Sequence, residues 1–253
     1  MRALTYYNGG MDWHARYIQQ AGWTAQLRAF LFNQANLPAA RRILEIGCGT
    51  GAVLNDFGSR SGLHGLDIDL AALGQAGLHV PSVMLTCADA VSLPYAQSVF
   101  DAVYCHYTLL WLEHPFNALL EMRRVTRPGG SLLALAEPDY GGRVDYPDKL
   151  AELGHWQADS LKMQGADPQI GRKLAAIFSH AGLKNVQIGV IGAQWQSSLS
   201  ARNLDLEWKT LSSDLAGHVA TDQLEGMRNL DEIAWAQGER VLYVPTFYAW
   251  GIV

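Results

Sequence analysis

Between Ile43 and Gly51 the chain reads ILEIGCGTG, with a carboxylate at Glu45 and glycines at Gly47, Gly49 and Gly51. Glycine tolerates positive φ and lets a backbone come close to a ligand, so this spacing behind an apolar run describes a binding loop. Two cofactor classes use such loops. A dinucleotide site usually reads G-x-G-x-x-G and rests its pyrophosphate on the N–H groups of the next helix. Here the spacing is G-x-G-x-G, and Glu45 stands just ahead of the first glycine. A carboxylate there opposes a diphosphate and suits a cation, such as the amino group of an amino-acid-like cofactor. Asp67 closes a second apolar segment, where an acid accepts both hydroxyls of a ribose. Asp89, in CADAVSLPY, is placed to accept an adenine amino proton, and Arg127 to Gly130 (RPGG) forms a tight turn.

These residues need a scaffold, and the surrounding pattern supplies one. From Arg42 on, strand-like and helix-like segments alternate: RILEIG, then a helix over GAVLNDFGSR, then LHGLDID, LAALGQAG, SVMLTCADA, FDAVYCHY, a helix starting at Pro115, and a strand in PGGSLLALAEP. Repeated strand–helix units predict a doubly wound α/β sheet whose ligands lie at the carboxyl ends of the strands. After Pro138 the rhythm breaks into loop, helix and strand, and the chain closes on a strand in VLYVPTFYAWGIV. The first forty residues read as helical, with Trp23, Leu27, Phe30 and Leu31 on one face. The expectation is one domain over 1–253, with a helical cap at 1–40 and a binding core at 41–138. Helical insertions at 139–168 and 195–240 form a lid over the site.

Composition narrows the function classes. A formal charge of −5 and dispersed basic residues disfavour a nucleic-acid partner. No apolar run reaches the roughly 18 residues of a membrane span, and the N-terminus lacks a signal-peptide centre, so a cytoplasmic location is expected. Cys48, Cys87 and Cys105 are too scattered for a disulfide framework or a zinc site, and no metal is expected.

Four segments in order, ILEIGCGTG, GLDID, ADAVSLPYAQSVFDAVYC and RRVTRPGGSLLALAEP, resemble the class I S-adenosylmethionine-dependent methyltransferases, most closely the small-molecule branch that includes the quinone-biosynthesis C-methyltransferases. The resemblance covers Arg42 to Pro138 and implies a Rossmann-like, seven-stranded, mostly parallel sheet with an antiparallel last strand. It also implies a site for S-adenosylmethionine, with S-adenosylhomocysteine as product. Glu45 and the backbone of Gly47, Cys48, Gly49 and Gly51 would hold the methionine end, and Asp67 the ribose. Ile68 would cover an adenine face, Asp89 with the Ala88 and Ala90 backbone would read the adenine edge, and His106 would lie beside the methionine moiety.

Methyl transfer from a sulfonium chiefly needs alignment, and a base only where the acceptor must lose a proton. Candidates for that role are His106, Glu137 and His155, with Tyr107, Asp139 and Tyr140 nearby in sequence. Many relatives carry a histidine pair where this chain has Leu110 and Trp111, a departure that points to a more apolar wall. Trp111, Trp156, Trp195 and the aromatics Tyr6, Tyr7, Trp13 and Tyr17 suggest a small, aromatic or lipophilic acceptor. The alternatives are an NAD(P)-dependent oxidoreductase on a similar sheet, a non-catalytic binding protein of the same fold and, more remotely, an aminopropyltransferase. Nothing in the pattern sets an oligomeric state.

Overall fold

The computed structural model describes residues 12–190, Gly192 and residues 201–253. Tyr6, Tyr7 and Trp195 therefore lie outside the described residues, as does the start of the 195–240 insertion. Two helices come first, α1 (Trp13–Trp23) and α2 (Ala25–Gln34), interrupted at Thr24. That interruption breaks the helical phase, so the expected single stripe is not one buried face. Leu31 is buried, whereas Trp23 and Phe30 are each 52% exposed.

β1 (Ile43–Ile46) is buried throughout, as a parallel strand covered on both faces should be. The helix expected over GAVLNDFGSR is absent, and only a turn of 3-10 helix runs from Leu54 to Phe57. Gly51 and Gly58, both at positive φ, bracket that segment too closely for a helix to nucleate and propagate. The chain continues through β2 (Leu63–Asp67), α3 (Leu70–His79), β3 (Met84–Cys87) and β4 (Phe100–Cys105). Asp69 caps α3 by accepting the Ala71 and Ala72 N–H groups. α4 (Pro115–Val125) begins on Pro115, whose missing N–H is harmless at that position. β5 (Thr126–Pro138) follows, with the RPGG segment looped out where its register against β4 shifts.

Beyond it lie β6 (Val144–Tyr146), α5 (Ala151–Met163), α6 (Leu174–His180), β7 (Lys184–Val190), α7 (Ala201–Asp214), α8 (Thr221–Gln237), β8 (Val241–Tyr243) and β9 (Thr246–Ile252). The main sheet has seven strands in the order β3-β2-β1-β4-β5-β9-β7. The strands from β3 to β5 are parallel, and β9 runs antiparallel to both of its neighbours. The closing segment, expected as one strand, is two. Pro245 cannot donate to a ladder, and β8 ahead of it pairs with β6 in a separate two-stranded sheet.

Two apolar clusters cover the faces of the main sheet, one built around Val103, Leu132 and Phe178, the other around Leu31, Ile43 and Tyr104. A third cluster joins the later elements through Leu150, Leu153, Trp208 and Ala234. Buried charges brace it: Arg240 pairs with Asp231 (2.6 Å) and Asp145 (2.8 Å), and the Trp208 indole donates to Asp231. Every member of that network has a partner, which is the condition under which buried charge is tolerated.

Candidate cofactor and acceptor site

The loops after β1, β2, β4 and β5 open onto one cavity of about 850 Å³, closed on its other sides by α1, by the segment from Tyr140 to Leu161, and by α7, α8 and β8. Glu45, Gly47, Cys48, Gly49, Asp67, Ile68 and His106 all line it. Gly51, Ala88, Asp89, Ala90, Glu137 and His155 do not.

The glycines answer mostly to the protein's own packing. All three have positive φ, and a Cβ at Gly47 would lie 2.4 Å from Thr108 Oγ1 and one at Gly51 2.8 Å from Val80 Cγ2. A Cβ at Gly49 would meet the Tyr17 ring of α1 at 3.3 Å. The loop also uses its own donors. The Gly47 and Cys48 N–H groups bond the Leu66 carbonyl, and the Gly49 N–H bonds Asp67 Oδ2 at 2.8 Å. With those donors engaged and only a 3-10 turn following, the loop lacks the helix dipole on which a pyrophosphate rests.

Asp67 has a second constraint, since its Oδ1 accepts the Asp69 N–H at 2.9 Å. A carboxylate offers about four lone-pair sites, so each oxygen keeps capacity for a ligand hydroxyl. Glu45 is 2% exposed and accepts the Tyr104 hydroxyl at 2.9 Å. Burial pushes its carboxyl up to about 8, against the pull of Tyr104 and Arg28. Arg28, itself buried, pairs with Asp56 at 2.8 Å. The cavity thus holds a carboxyl poised to ionise beside a cation. Together with Asp67, it fits the ammonium and ribose hydroxyls of a nucleoside that carries an amino-acid chain.

His106 is in a different state from that expected of a base. Its Nε2 lies 2.8 Å from the Thr24 hydroxyl, which also accepts from Arg28 at 2.6 Å. Burial, with the Arg28 charge, pushes the imidazole down to about 3, so it is neutral near pH 7 and a weak proton acceptor. Glu137 is fully buried, and its carboxylate accepts the N–H groups of Thr108 (3.0 Å), Leu109 (2.9 Å) and Leu110 (3.2 Å). It anchors the loop after β4 instead of facing an acceptor. His155 is exposed on α5, away from the cavity. None of the three suits the role of base. Asp89 is half-buried off the cavity and accepts the Val91 N–H at 3.1 Å.

The opposite wall was not singled out by motif. Arg16 of α1 is 5% exposed, lies over the Trp23 ring, and donates through Nη1 to Gln19 (2.8 Å) and to Glu207 of α7 (2.7 Å). Glu207, Thr210 and Asp214 face the cavity together with Asn203. Their spacing puts them on one side of a helix, a polar stripe legible in the sequence once α7 is known to be helical. Trp111, Tyr107, Tyr140 and Trp235 complete this half with rings.

Comparison with known proteins agrees with the geometry. Residues 44–134 match the family described as a methyltransferase domain. The chain is 33% identical over 169 residues to the ubiquinone/menaquinone biosynthesis C-methyltransferase UbiE of Bordetella avium, covering 62% of this chain and 60% of that one. It is 32% identical over 128 residues to the demethylmenaquinone methyltransferase of Renibacterium salmoninarum, covering 49% and 54%. The chain thus spans little more than half the length of these curated relatives. The phosphoethanolamine N-methyltransferase 2 of Haemonchus contortus, solved with phosphomonomethylethanolamine and S-adenosylhomocysteine, shares the fold. Its TM-score is 0.58 at 14% identity, over 93% of this chain and 57% of that one. Over residues 44–134 the chain matches the methyltransferase-domain family, and it resembles the class I S-adenosylmethionine-dependent methyltransferases, the quinone-biosynthesis C-methyltransferases among them.

Proposed function

We propose that the protein transfers a methyl group from S-adenosylmethionine to a small acceptor held in the same cavity. The observation that carries this reading is the pairing, around one space, of a Glu45–Asp67 half with a ring-lined, polar half on α1 and α7. The bound cofactor supplies an electrophilic methyl group on a good leaving group. In this reading Asp67 accepts the ribose hydroxyls, Glu45 balances the ammonium, and the glycine loop and Ile68 set the depth of the nucleoside. Neutral His106, held by Thr24, presents no positive charge to repel a sulfonium. Alignment of acceptor, methyl and sulfur by these walls can contribute about 7–11 kcal/mol of the barrier reduction.

The acceptor we favour is a small aromatic or lipophilic molecule, a reading supported by Trp111, Tyr140 and Trp235 on the cavity wall. An NAD(P) site is opposed by the engaged loop donors and by Glu45. A cytoplasmic location is supported by three free cysteines, and no described helix is long and apolar enough to cross a membrane. Incubating the protein with methyl-labelled S-adenosylmethionine and a metabolite extract, then identifying products by mass, tests the reading. A labelled product that needs the protein is expected. Binding of S-adenosylhomocysteine with no labelled product would favour a non-catalytic binding protein.

A further inference from the structure

Thr24 joins a buried cation to a ring on the cavity wall. Arg28 is 3% exposed and does not line the cavity. Its Nη1 donates to the Thr24 hydroxyl at 2.6 Å and to the Ala21 carbonyl. His106 does line the cavity, and its Nε2 lies 2.8 Å from the same hydroxyl. In the sheet Glu45 pairs with Tyr104 and Ile46 with Cys105, so His106, the next residue, stands beside the start of the glycine loop.

Donor and acceptor capacities fix the tautomer of that ring. A hydroxyl has one proton to give, and Thr24 has two takers, the Ala21 carbonyl at 3.3 Å and His106 Nε2 at 2.8 Å. The carbonyl already accepts the Thr24 N–H and an Arg28 N–H, which fills its two lone pairs. The Thr24 proton therefore goes to His106, and the bond that Thr24 accepts from a cation strengthens this donation. Burial and the Arg28 charge push the imidazole down to about 3, so at pH 7 the ring holds one proton, on Nδ1. No described group accepts from Nδ1. Unlike the Arg16 Nε, it is not sealed inside the protein, so a cavity-lining ring presents this donor to whatever binds.

A donor polarised by a cation two hydrogen bonds away suits an anionic oxygen, whereas the neighbouring Glu45 suits a cation. Resting on the methyltransferase reading above, we propose that His106 binds the carboxylate of the cofactor's amino-acid end while Glu45 meets its ammonium. Arg28 and Thr24 are positioning residues that orient and polarise the ring, and the two halves together recognise a zwitterion. The arginines that line the cavity are committed elsewhere, Arg16 to Glu207 and Arg143 to Asp145.

Calorimetry on the whole chain tests this with three ligands. They are S-adenosylhomocysteine, the aminopropyl thioether of adenosine, which lacks the carboxylate, and the carboxypropyl thioether, which lacks the amine. In the wild-type protein, loss of the carboxylate should weaken binding about tenfold or more. In His106→Leu that penalty should shrink to about twofold, because the aminopropyl thioether has no bond to lose. The carboxypropyl thioether should weaken in His106→Leu by the same factor as S-adenosylhomocysteine. Thr24→Val should act in the same direction and replaces His106→Leu if that variant misfolds, while Thr24→Ser keeps the hydroxyl and should keep the preference. Nitrogen NMR of the histidine side chains should find the His106 proton on Nδ1 at pH 7. Absence of a carboxylate preference in the wild type, a full preference that survives both His106→Leu and Thr24→Val, or a proton on Nε2 would overturn the proposal. Failure of S-adenosylhomocysteine itself to bind would instead sink the methyltransferase reading on which it rests.

Discussion

Glu45 is a residue whose charge depends on what fills the cavity. Burial holds its carboxyl at about 8, so it is mostly protonated at pH 7. An ammonium brought beside it favours the ionised form, and binding therefore releases a proton. Calorimetry of S-adenosylhomocysteine at pH 7 in two buffers of different ionisation enthalpy should show release of about one proton. The Glu45→Gln variant should show none and bind more weakly. Identical heats in the two buffers with the wild-type protein would mean that Glu45 does not meet the ammonium. Asp67 is the neighbouring case. Its two oxygens already accept Gly49 and Asp69 N–H groups, so the structure holds it rigidly before any ligand arrives. Both residues were legible in the sequence, because strand ends and glycine spacing locate them. The pairing of Glu45 with Tyr104, and of His106 with Thr24, was not, since those partners are 59 and 82 residues apart.

At the scale of elements, the loop between β4 and α4 depends on one buried carboxylate. Glu137 of β5 satisfies three consecutive N–H groups, at Thr108, Leu109 and Leu110, and so fixes the turn that carries His106, Tyr107 and Trp111 to the cavity. Glu137→Gln keeps the shape but turns an amide N–H₂ toward backbone donors, a loss of about 2–4 kcal/mol. At about 2–4 °C per kcal/mol for a chain of this size, the melting temperature should fall by about 5–15 °C. A shift under about 2 °C would show that the loop is held by other contacts. The sequence placed Glu137 correctly at the end of a strand but suggested the wrong duty, because a carboxylate there looks the same whether it faces a ligand or a loop. The strand and helix order was readable from Arg42 to Pro138, where periodicity and glycine punctuation coincide. It failed where tertiary pairing decides: the 3-10 turn at Leu54–Phe57, the break at Thr24, and the division of the last strand at Pro245.

At the scale of the whole molecule, α1 acts as a strap between the two halves of the site. His14 Nδ1 lies 2.8 Å from Thr50 Oγ1 on the glycine loop and stacks on His79 at 3.5 Å, while Arg16 reaches Glu207 on α7. Such a strap can order when cofactor arrives and exclude water from the reacting groups. Hydrogen exchange with S-adenosylhomocysteine should raise protection over residues 12–20 and 139–168 as well as at the glycine loop. Protection confined to the loop and the strand ends would make α1 a fixed wall and not a lid. This cavity is expected to receive S-adenosylmethionine and not a dinucleotide, and one titration separates the two. Calorimetry of the purified chain with S-adenosylhomocysteine and with NADH should give saturable one-to-one binding for the first and no saturable heat for the second. Asp67→Ala should weaken the S-adenosylhomocysteine affinity at least tenfold, given about 1.5–3 kcal/mol for each hydrogen bond to a charged group. Saturable NADH binding without S-adenosylhomocysteine binding, or an affinity untouched in a folded Asp67→Ala protein, would contradict the account.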